Sequence, residues 1–246
     1  MKQNLILALF ASALMSSCAA GASTKEQVQT VDETVSSSQT PANDVRFSTR
    51  TYPLTDFSKI DVGNVVKVIY TQGSTYSVEL TGRTDWLDDM YVNATDGKLT
   101  VRTADKKKFN NVKKSDKPDG NYTFILRLTA PSLEGINLHG ASAFESKQVS
   151  SNELCILLSG ATQLTIDAAE SDKMTIESSG AGQLDFKGIA VREIDVRLSG
   201  ACKAKFPIAG KAETVKLIAS GASELTLGGE ISGLMQVNLS GACNTD

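Results

Sequence analysis

The chain is poor in the residues on which most enzyme sites depend. Of its 246 residues, one is histidine, one is tryptophan and four are cysteine, and only 6% are aromatic. One histidine and scattered cysteines give no zinc-ligand spacing. Asp88-Asp89 lacks the further ligands of a calcium loop. The sequence therefore gives no reason to expect a metal or a cofactor. Charge of one sign is lacking too. Lys and Arg number 25 against 28 Asp and Glu, a formal net charge of -3. That balance gives no reason to expect nucleic acid as partner. The N-terminal apolar run, Leu5 to Met15, is too short for a transmembrane helix.

That run has the form of a secretion signal. Lys2 supplies a positive start, and Ser16-Ser17 places small residues before Cys18. Leu14-Met15-Ser16-Ser17-Cys18 resembles a bacterial lipobox, with Met15 in place of the usual leucine. The resemblance implies cleavage before Cys18 and acylation of its thiol, hence a partner in the membrane through a lipid anchor. Ala19 is not the aspartate that resembles an inner-membrane retention signal, so an outer-membrane destination is expected. No acidic cluster follows Cys18 to suggest export to the surface, which leaves the side of the membrane open. Residues 1–18 thus read as signal and residues 19–43, rich in Ser, Thr, Gln and Ala, as a disordered tether. Residues 44–246 are long enough for one domain with a sizeable core.

What the domain has in abundance is a period. Ser-Gly-Ala recurs with its glycine at Gly160, Gly180, Gly200, Gly221 and Gly241, and His-Gly-Ala precedes it at Gly140. A fixed period of this size signals stacked structural repeats. Four residues before each glycine stand Ile136, Ile156, Ile176, Val196, Leu217 and Val237. Four after it stand Phe144, Leu164, Leu184, Ala204 and Leu225. Apolar residues alternate with others on both sides, so each repeat reads as strand, glycine corner, strand and return loop. Two short strands cannot bury their apolar faces alone, but stacked coils can. The fold class expected is all-β, a parallel β-solenoid with coils of about 20 residues and irregular N-terminal coils. A corner with positive φ accounts for the glycine, and small flanking Ser and Ala let corners stack closely.

The outward positions support that stacking. Glu177 precedes Arg197 by one repeat, Asp195 precedes Lys216, Asp185 precedes Lys205, and Lys203 precedes Glu224. Neighbouring opposite charges would penalise a register slip. Cys202 and Cys243 share a repeat position two coils apart, about 10 Å by strand spacing, too far for a disulfide. Free, mostly buried thiols are expected. In the first half, Ile60-Asp61-Val62-Gly63 matches Ile136 to Gly140 with one residue fewer, and only Asp85 to Tyr91 suggests a helical turn. Residues 105–119 form a basic excursion with Lys106, Lys107, Lys108, Lys113, Lys114 and Lys117. It is a candidate contact for phosphate, lipopolysaccharide or acidic glycan, or else a long solvated loop. Asp246 lies five residues past Gly241, so the last coil stops within a repeat; an open strand edge there would favour self-association.

Catalysis would need a nucleophile, a base and a means of stabilising charge. His139 stands one repeat from Ser159, which invites a Ser-His reading. Ser179, Ser199, Ser220 and Ser240 hold the same place without a histidine, so the corner serine reads as structural. Gly135-Ile136-Asn137, followed by Leu138-His139-Gly140-Ala141-Ser142, resembles the GIN signature of the "putative auto-transporter adhesin head domain" family. Phe57-Ser58-Lys59-Ile60-Asp61-Val62 resembles the family's opening and the repeated Ser-Gly-Ala its body, over residues 45–246. The resemblance implies a right-handed β-helix, a cell-envelope location and no catalytic residues. The expected function is a non-enzymatic cell-envelope lipoprotein, an adhesin or binding module presenting its β-solenoid surface to a glycan or a protein, an envelope protein among them. The alternatives are a polysaccharide-acting enzyme on the same scaffold and a purely structural envelope protein.

Overall fold

A computed structural model describes residues 32–34, 46–104, 109 and 111–245. Cys18, Lys106, Lys107, Lys108 and nearly all of the tether lie outside the described residues. From the third coil onward the strands are β9 (Gly135–Gly140), β10 (Ala143–Ser150), β11 (Glu153–Gly160) and β12 (Gln163–Gly180). They continue as β13 (Gln183–Phe186), β14 (Ile189–Gly200), β15 (Lys203–Gly221) and β16 (Glu224–Gly241). Each coil has a leading run that ends at the corner glycine and a trailing run that starts beyond it. Leading runs pair in parallel with leading runs and trailing with trailing, which makes a β-solenoid of coils about 20 residues long.

The glycines stand in register from Gly140 through Gly160, Gly180, Gly200 and Gly221 to Gly241. All six have positive φ, from 73° to 105°. Positive φ is only half of the requirement. A Cβ on Gly180 would lie 2.6 Å from the Gly160 carbonyl oxygen, which accepts the Ala181 N–H at 2.9 Å. The same clash and the same bond recur at Gly160, Gly200 and Gly221. Two residues past the glycine, the chain turns inward at a small buried side chain: Ser142, Thr162, Cys202 or Ser223. Ser142 Oγ donates to the Asn64 and His139 carbonyls at 2.7 and 2.8 Å, and Ser223 Oγ to the Gly200 carbonyl at 3.4 Å. Beyond the corner, the alternation fills the interior as the sequence implies. Ile136, Ile156, Ile176, Val196, Leu217, Phe144, Leu164, Leu184, Ala204 and Leu225 are all buried.

The outward charge pairs fall in register. Arg197 meets Glu177 at 2.8 Å, Lys203 meets Glu224 at 2.8 Å, and Lys216 meets Asp195 at 3.7 Å. Asp185 stands opposite Lys205. Cys155, Cys202 and Cys243 are free thiols. Cys202 is buried as expected, but Cys155 is exposed, because it falls on an outward position of its leading run. Partial burial, and then the Glu177 carboxylate, push its thiol pKa up, against Lys59.

The first half uses the same coil in a different order. β3 (Lys59–Val62) and β4 (Val66–Gln72) stack in parallel on β9 and β10, with Ile60 opposite Ile136 and Val62 opposite Leu138. This register puts Gly63 opposite His139 and makes Asn64, at φ 72°, the corner residue. No residue is missing; asparagine tolerates the left-handed region and takes the place of glycine. On the far side of that coil lie β7 (Lys98–Thr103) and β8 (Phe124–Ala130), parallel to β3 and β4. The coil that comes second in sequence therefore stacks first in space. Antiparallel strands then close this end. β5 (Ser77–Arg83) lies on β8, β2 (Phe47–Thr51) on β5, and β6 (Met90–Thr95) on β7. β1 (Asp32–Thr34), from the segment read as tether, adds to β2. β17 (Asn244–Thr245) pairs with the start of β16. The expected helical turn is a short 3-10 turn at Leu87–Asp89. Among the described residues, no helix is long and apolar enough to cross a membrane.

The basic excursion replaces the corner between β7 and β8, and its described part is fastened down. Phe109 packs edge-on between Trp86 and Phe124, with ring centroids 5.2 and 5.7 Å away. Arg83 lies 4.4 Å over the Trp86 ring and reaches both Asp85 and Asp116 at 2.7 Å. Asp116 also accepts the Lys113 N–H at 2.9 Å. That bond, and next Arg83, hold its carboxyl below the usual carboxylate range despite burial. Lys113 and Lys114 point into solvent and Lys117 is half-buried.

Candidate functional site

The permuted stacking brings β6, β7, β3 and β9 side by side, and their outward residues form a concave surface. Tyr91 on β6 stands opposite Arg102 on β7. Thr100 stands opposite Asp61, and Asp61 opposite Asn137. Gly63 and Gly140 lack side chains, so the floor is low between the Tyr91 and His139 walls. The resulting cleft has a volume of ≈ 620 Å³, and Asp61, Asn64, Tyr91, Lys98, Arg102 and His139 line it.

Tyr91 is 42% exposed, one of six large hydrophobic residues turned to solvent among the described residues. The Arg102 guanidinium lies 5.1 Å from its ring centroid, a cation–π contact. Asp61 bonds His139 Nε2 and lies 4.0 Å from Lys98 Nζ. Asn64 Nδ2 donates to Thr103 Oγ1 at 2.6 Å, which fixes the rim of the corner. The cleft thus offers a partly exposed aromatic ring, two cationic side chains, one carboxylate and an imidazole within one concavity. A second groove of ≈ 440 Å³ continues along the same face, over Leu157, Ser159, Glu177, Arg197 and Ile218. From β6 to β15 this strip crosses eight strands, roughly 34 Å at the usual strand spacing.

His139 and Ser159 do come together, with Nδ1 3.5 Å from Oγ. With Asp61 on the other ring nitrogen, the three form a Ser-His-Asp row. The Ala161 N–H, two residues past the serine, is bonded to the Gly140 carbonyl at 2.8 Å. The equivalent Ser179, Ser199 and Ser220 hydroxyls each lean on a carbonyl of the preceding coil at 3.5 Å. Ser159 holds the equivalent corner position, but its hydroxyl faces His139 Nδ1 where the others face a carbonyl. Asp61, Asn64, Tyr91, Lys98 and Arg102 are site residues that sequence reasoning missed, and of these Asp61 left a signal. Its signal was the match of residues 60–62 to 136–138, which places it beside Asn137 once the two coils are stacked.

The other sequence candidates lie elsewhere. Lys113, Lys114 and Lys117 sit in the excursion at the corner edge. Asp88 bonds Arg50 at 2.6 Å. Among the described residues, no group of three or more His, Cys, Asp or Glu side chains is placed to hold a metal ion. The groove at the return edge carries Arg192 among Asp172, Glu193 and Glu213 at 4.0, 3.2 and 3.7 Å, so its charges answer one another.

The sequence pattern of one protein family, described as "Putative auto-transporter adhesin, head GIN domain", matches residues 56–246. Among solved structures, the chain resembles a "putative adhesin" from Bacteroides fragilis NCTC 9343 at 17% identity and a TM-score of 0.55, covering 82% of this chain and 96% of that one. A second "putative adhesin", from Parabacteroides merdae ATCC 43184, is 16% identical with a TM-score of 0.48, covering 81% and 96%. At 17% identity the first likeness is one of fold alone. No curated protein sequence matches the chain.

Proposed function

The chain belongs to the auto-transporter adhesin head GIN domain family, and from that premise we propose a non-enzymatic binding module of the cell envelope, which takes a glycan on the outward face of its leading runs. The observation that carries this reading is the exposed Tyr91 ring at the wall of a polar cleft. A sugar ring presents an apolar C–H face and an equatorial belt of hydroxyls. The exposed aromatic ring takes the first, and Arg102, Asp61, His139 and Asn64 supply donors and acceptors for the second. The strip beyond the cleft gives successive sugars a surface along the solenoid. The anchor in this reading is an acylated Cys18 in the outer membrane, with residues 19–43 as spacer. Labelling with a radioactive fatty acid, lost in Cys18→Ser, tests the anchor.

The test of the site is glycan-array binding followed by calorimetry on the glycans retained. Tyr91→Ala is expected to lower affinity about 10-fold, or ~1.4 kcal/mol, with an unchanged melting temperature. Equal affinity of Tyr91→Ala for every retained glycan would remove the cleft from the reading. Release of new reducing ends from any polysaccharide would turn it toward the enzyme alternative.

A further inference from the structure

The Tyr91 cleft differs from the other grooves of the surface in how its arginine is answered. Arg197 lines the groove over Leu157 and bonds Glu177 and Asp195, each at 2.8 Å. Arg192 lines the return-edge groove and lies among Asp172, Glu193 and Glu213. Arg102 is exposed and reaches no carboxylate among the described residues; its contact is the Tyr91 ring. The one carboxylate that lines the cleft, Asp61, is already engaged. His139 Nε2 bonds its Oδ1, and Lys98 Nζ stands 4.0 Å from its Oδ2. Counting His139 as neutral, Lys98 and Arg102 against Asp61 leave the cleft with a positive excess, in a chain whose formal net charge is -3. The Tyr91 hydroxyl accepts Asn93 Nδ2 at 3.1 Å, so its own proton is left to donate.

We infer that Arg102 receives a carboxylate, and that the glycan taken by this cleft is acidic, built from uronic acid sugars. The inference rests on the reading of the cleft as a glycan site and names the class of glycan. A sugar carboxylate is ionised at neutral pH, as any ordinary carboxylic acid is. The guanidinium presents a planar fork of N–H donors that matches a carboxylate with two parallel bonds. Where such a fork meets a carboxylate of its own chain, as at Arg197, that capacity is spent. At Arg102 it is left for a ligand. Arg102 and Tyr91 stand opposite each other on neighbouring strands, about 5 Å apart by strand spacing. One sugar laid against Tyr91, or its neighbour in the chain, brings a carboxylate within reach of the guanidinium. The Tyr91 O–H and Lys98 add a donor and a second cation on either side. Asp61 does not repel the ligand with a bare charge, because His139 and Lys98 face its two oxygens.

Calorimetry on the full chain tests the inference with matched pairs of probes: oligogalacturonate, oligomannuronate and hyaluronan oligosaccharides, each beside its carboxyl-reduced counterpart. In at least one pair the acidic member is expected to bind about 10-fold tighter than the reduced one. Arg102→Gln should bring that ratio to about 1, and Arg102→Lys, which keeps the charge without the fork, to about 3. Tyr91→Ala should weaken both members of the pair and keep the ratio within about 3-fold of its original value. A ratio near 1 for every pair in the unaltered protein overturns the inference and leaves the cleft standing as a site for neutral glycans. Failure of every acidic oligomer to bind at millimolar concentration overturns it as well. So does a ratio that survives Arg102→Gln, or a sulfated neutral oligomer held as tightly as the acidic one. Acidic binding that Tyr91→Ala leaves unchanged removes the cleft itself, and the inference with it.

Discussion

Substituting alanine for Gly180 separates two reasons why glycine occupies the corner. The first is local. Gly180 has φ 105°, and an L-residue there costs about 1–2 kcal/mol. The second is the stack. The new Cβ would lie 2.6 Å from the Gly160 carbonyl oxygen and 3.1 Å from its nitrogen. That carbonyl must move, and it accepts the Ala181 N–H at 2.9 Å. Weakening a backbone bond of this kind costs about 0.5–1.5 kcal/mol. Alanine also stiffens the unfolded chain, which returns about 0.4–1 kcal/mol. The net expectation is a loss of about 1–3 kcal/mol. In a domain of this size that lowers the melting temperature by roughly 2–12 °C. Gly210 is the control, because it has φ 88° but nothing within 4 Å of an added Cβ. Gly210→Ala carries the strain without the clash and should lower the melting temperature by only about 2–4 °C. Gly228 has neither feature, and Gly228→Ala should be neutral or slightly stabilising. Thermal unfolding by circular dichroism reads all three. Equal melting temperatures for Gly180→Ala and Gly210→Ala would refute the argument from stacking and leave only backbone strain.

Other measurements probe the rest of the molecule. Trp86 is the sole tryptophan and touches both Phe109 and Arg83, so its emission reports the fastening of the basic excursion. Because the folded Asp116 carboxyl lies below its ordinary range, its contribution is full above that range and is lost as pH falls through the folded value. Trp86 emission should therefore shift in acid, below about pH 4, and Asp116→Asn should show the shifted emission at neutral pH; identical emission would detach Asp116 from the loop. Arg197→Ala, which removes an exposed bridge to both Glu177 and Asp195, should cost no more than about 1 kcal/mol by urea unfolding. Cys155 should react with a thiol reagent in the native protein, faster as pH rises toward its elevated pKa, while Cys202 should react only after unfolding. Replacing Lys113, Lys114 and Lys117 with alanine should weaken retention on heparin at low salt, and unchanged retention would remove those lysines from anion binding.

The regular half of this fold was legible because its constraint is local and repeats. Each corner from Gly160 to Gly241 demands glycine for the same clash, and each run demands apolar residues at the same offsets. The sequence therefore carries the register of Gly140 to Gly241 openly. The irregular half was not legible in the same way. Which coil stacks on which is decided by long-range pairing, and nothing in residues 98–130 announces that they lie outside residues 59–72. The corner at Asn64 was hidden because a glycine stands beside it, and one-residue ambiguity is enough to misplace it. The Tyr91 cleft depends on both points. Asp61 and His139 are 78 residues apart, and only the stacking of β3 on β9 makes them neighbours. Cys155 was misjudged for a simpler reason: a cysteine on an alternating strand takes whichever face its offset from the glycine dictates. The fastening of the excursion by Phe109 was likewise invisible among six lysines.

The coils are aligned from one side only. Every glycine corner matches its neighbour without a shift, even where the spacing grows from 20 to 21 residues. The irregularities all fall toward the opposite edge, between Ile189 and Glu193, Pro207 and Lys211, and Ala212 and Thr214. The solenoid behaves like pages bound along one margin and trimmed unevenly along the other. Lengthening a coil at the loose margin leaves the binding intact. Residues inserted near 190–192 or 210–213 should thus be accepted with little loss, which makes that margin the place to graft a foreign loop and the corner margin the place to leave alone.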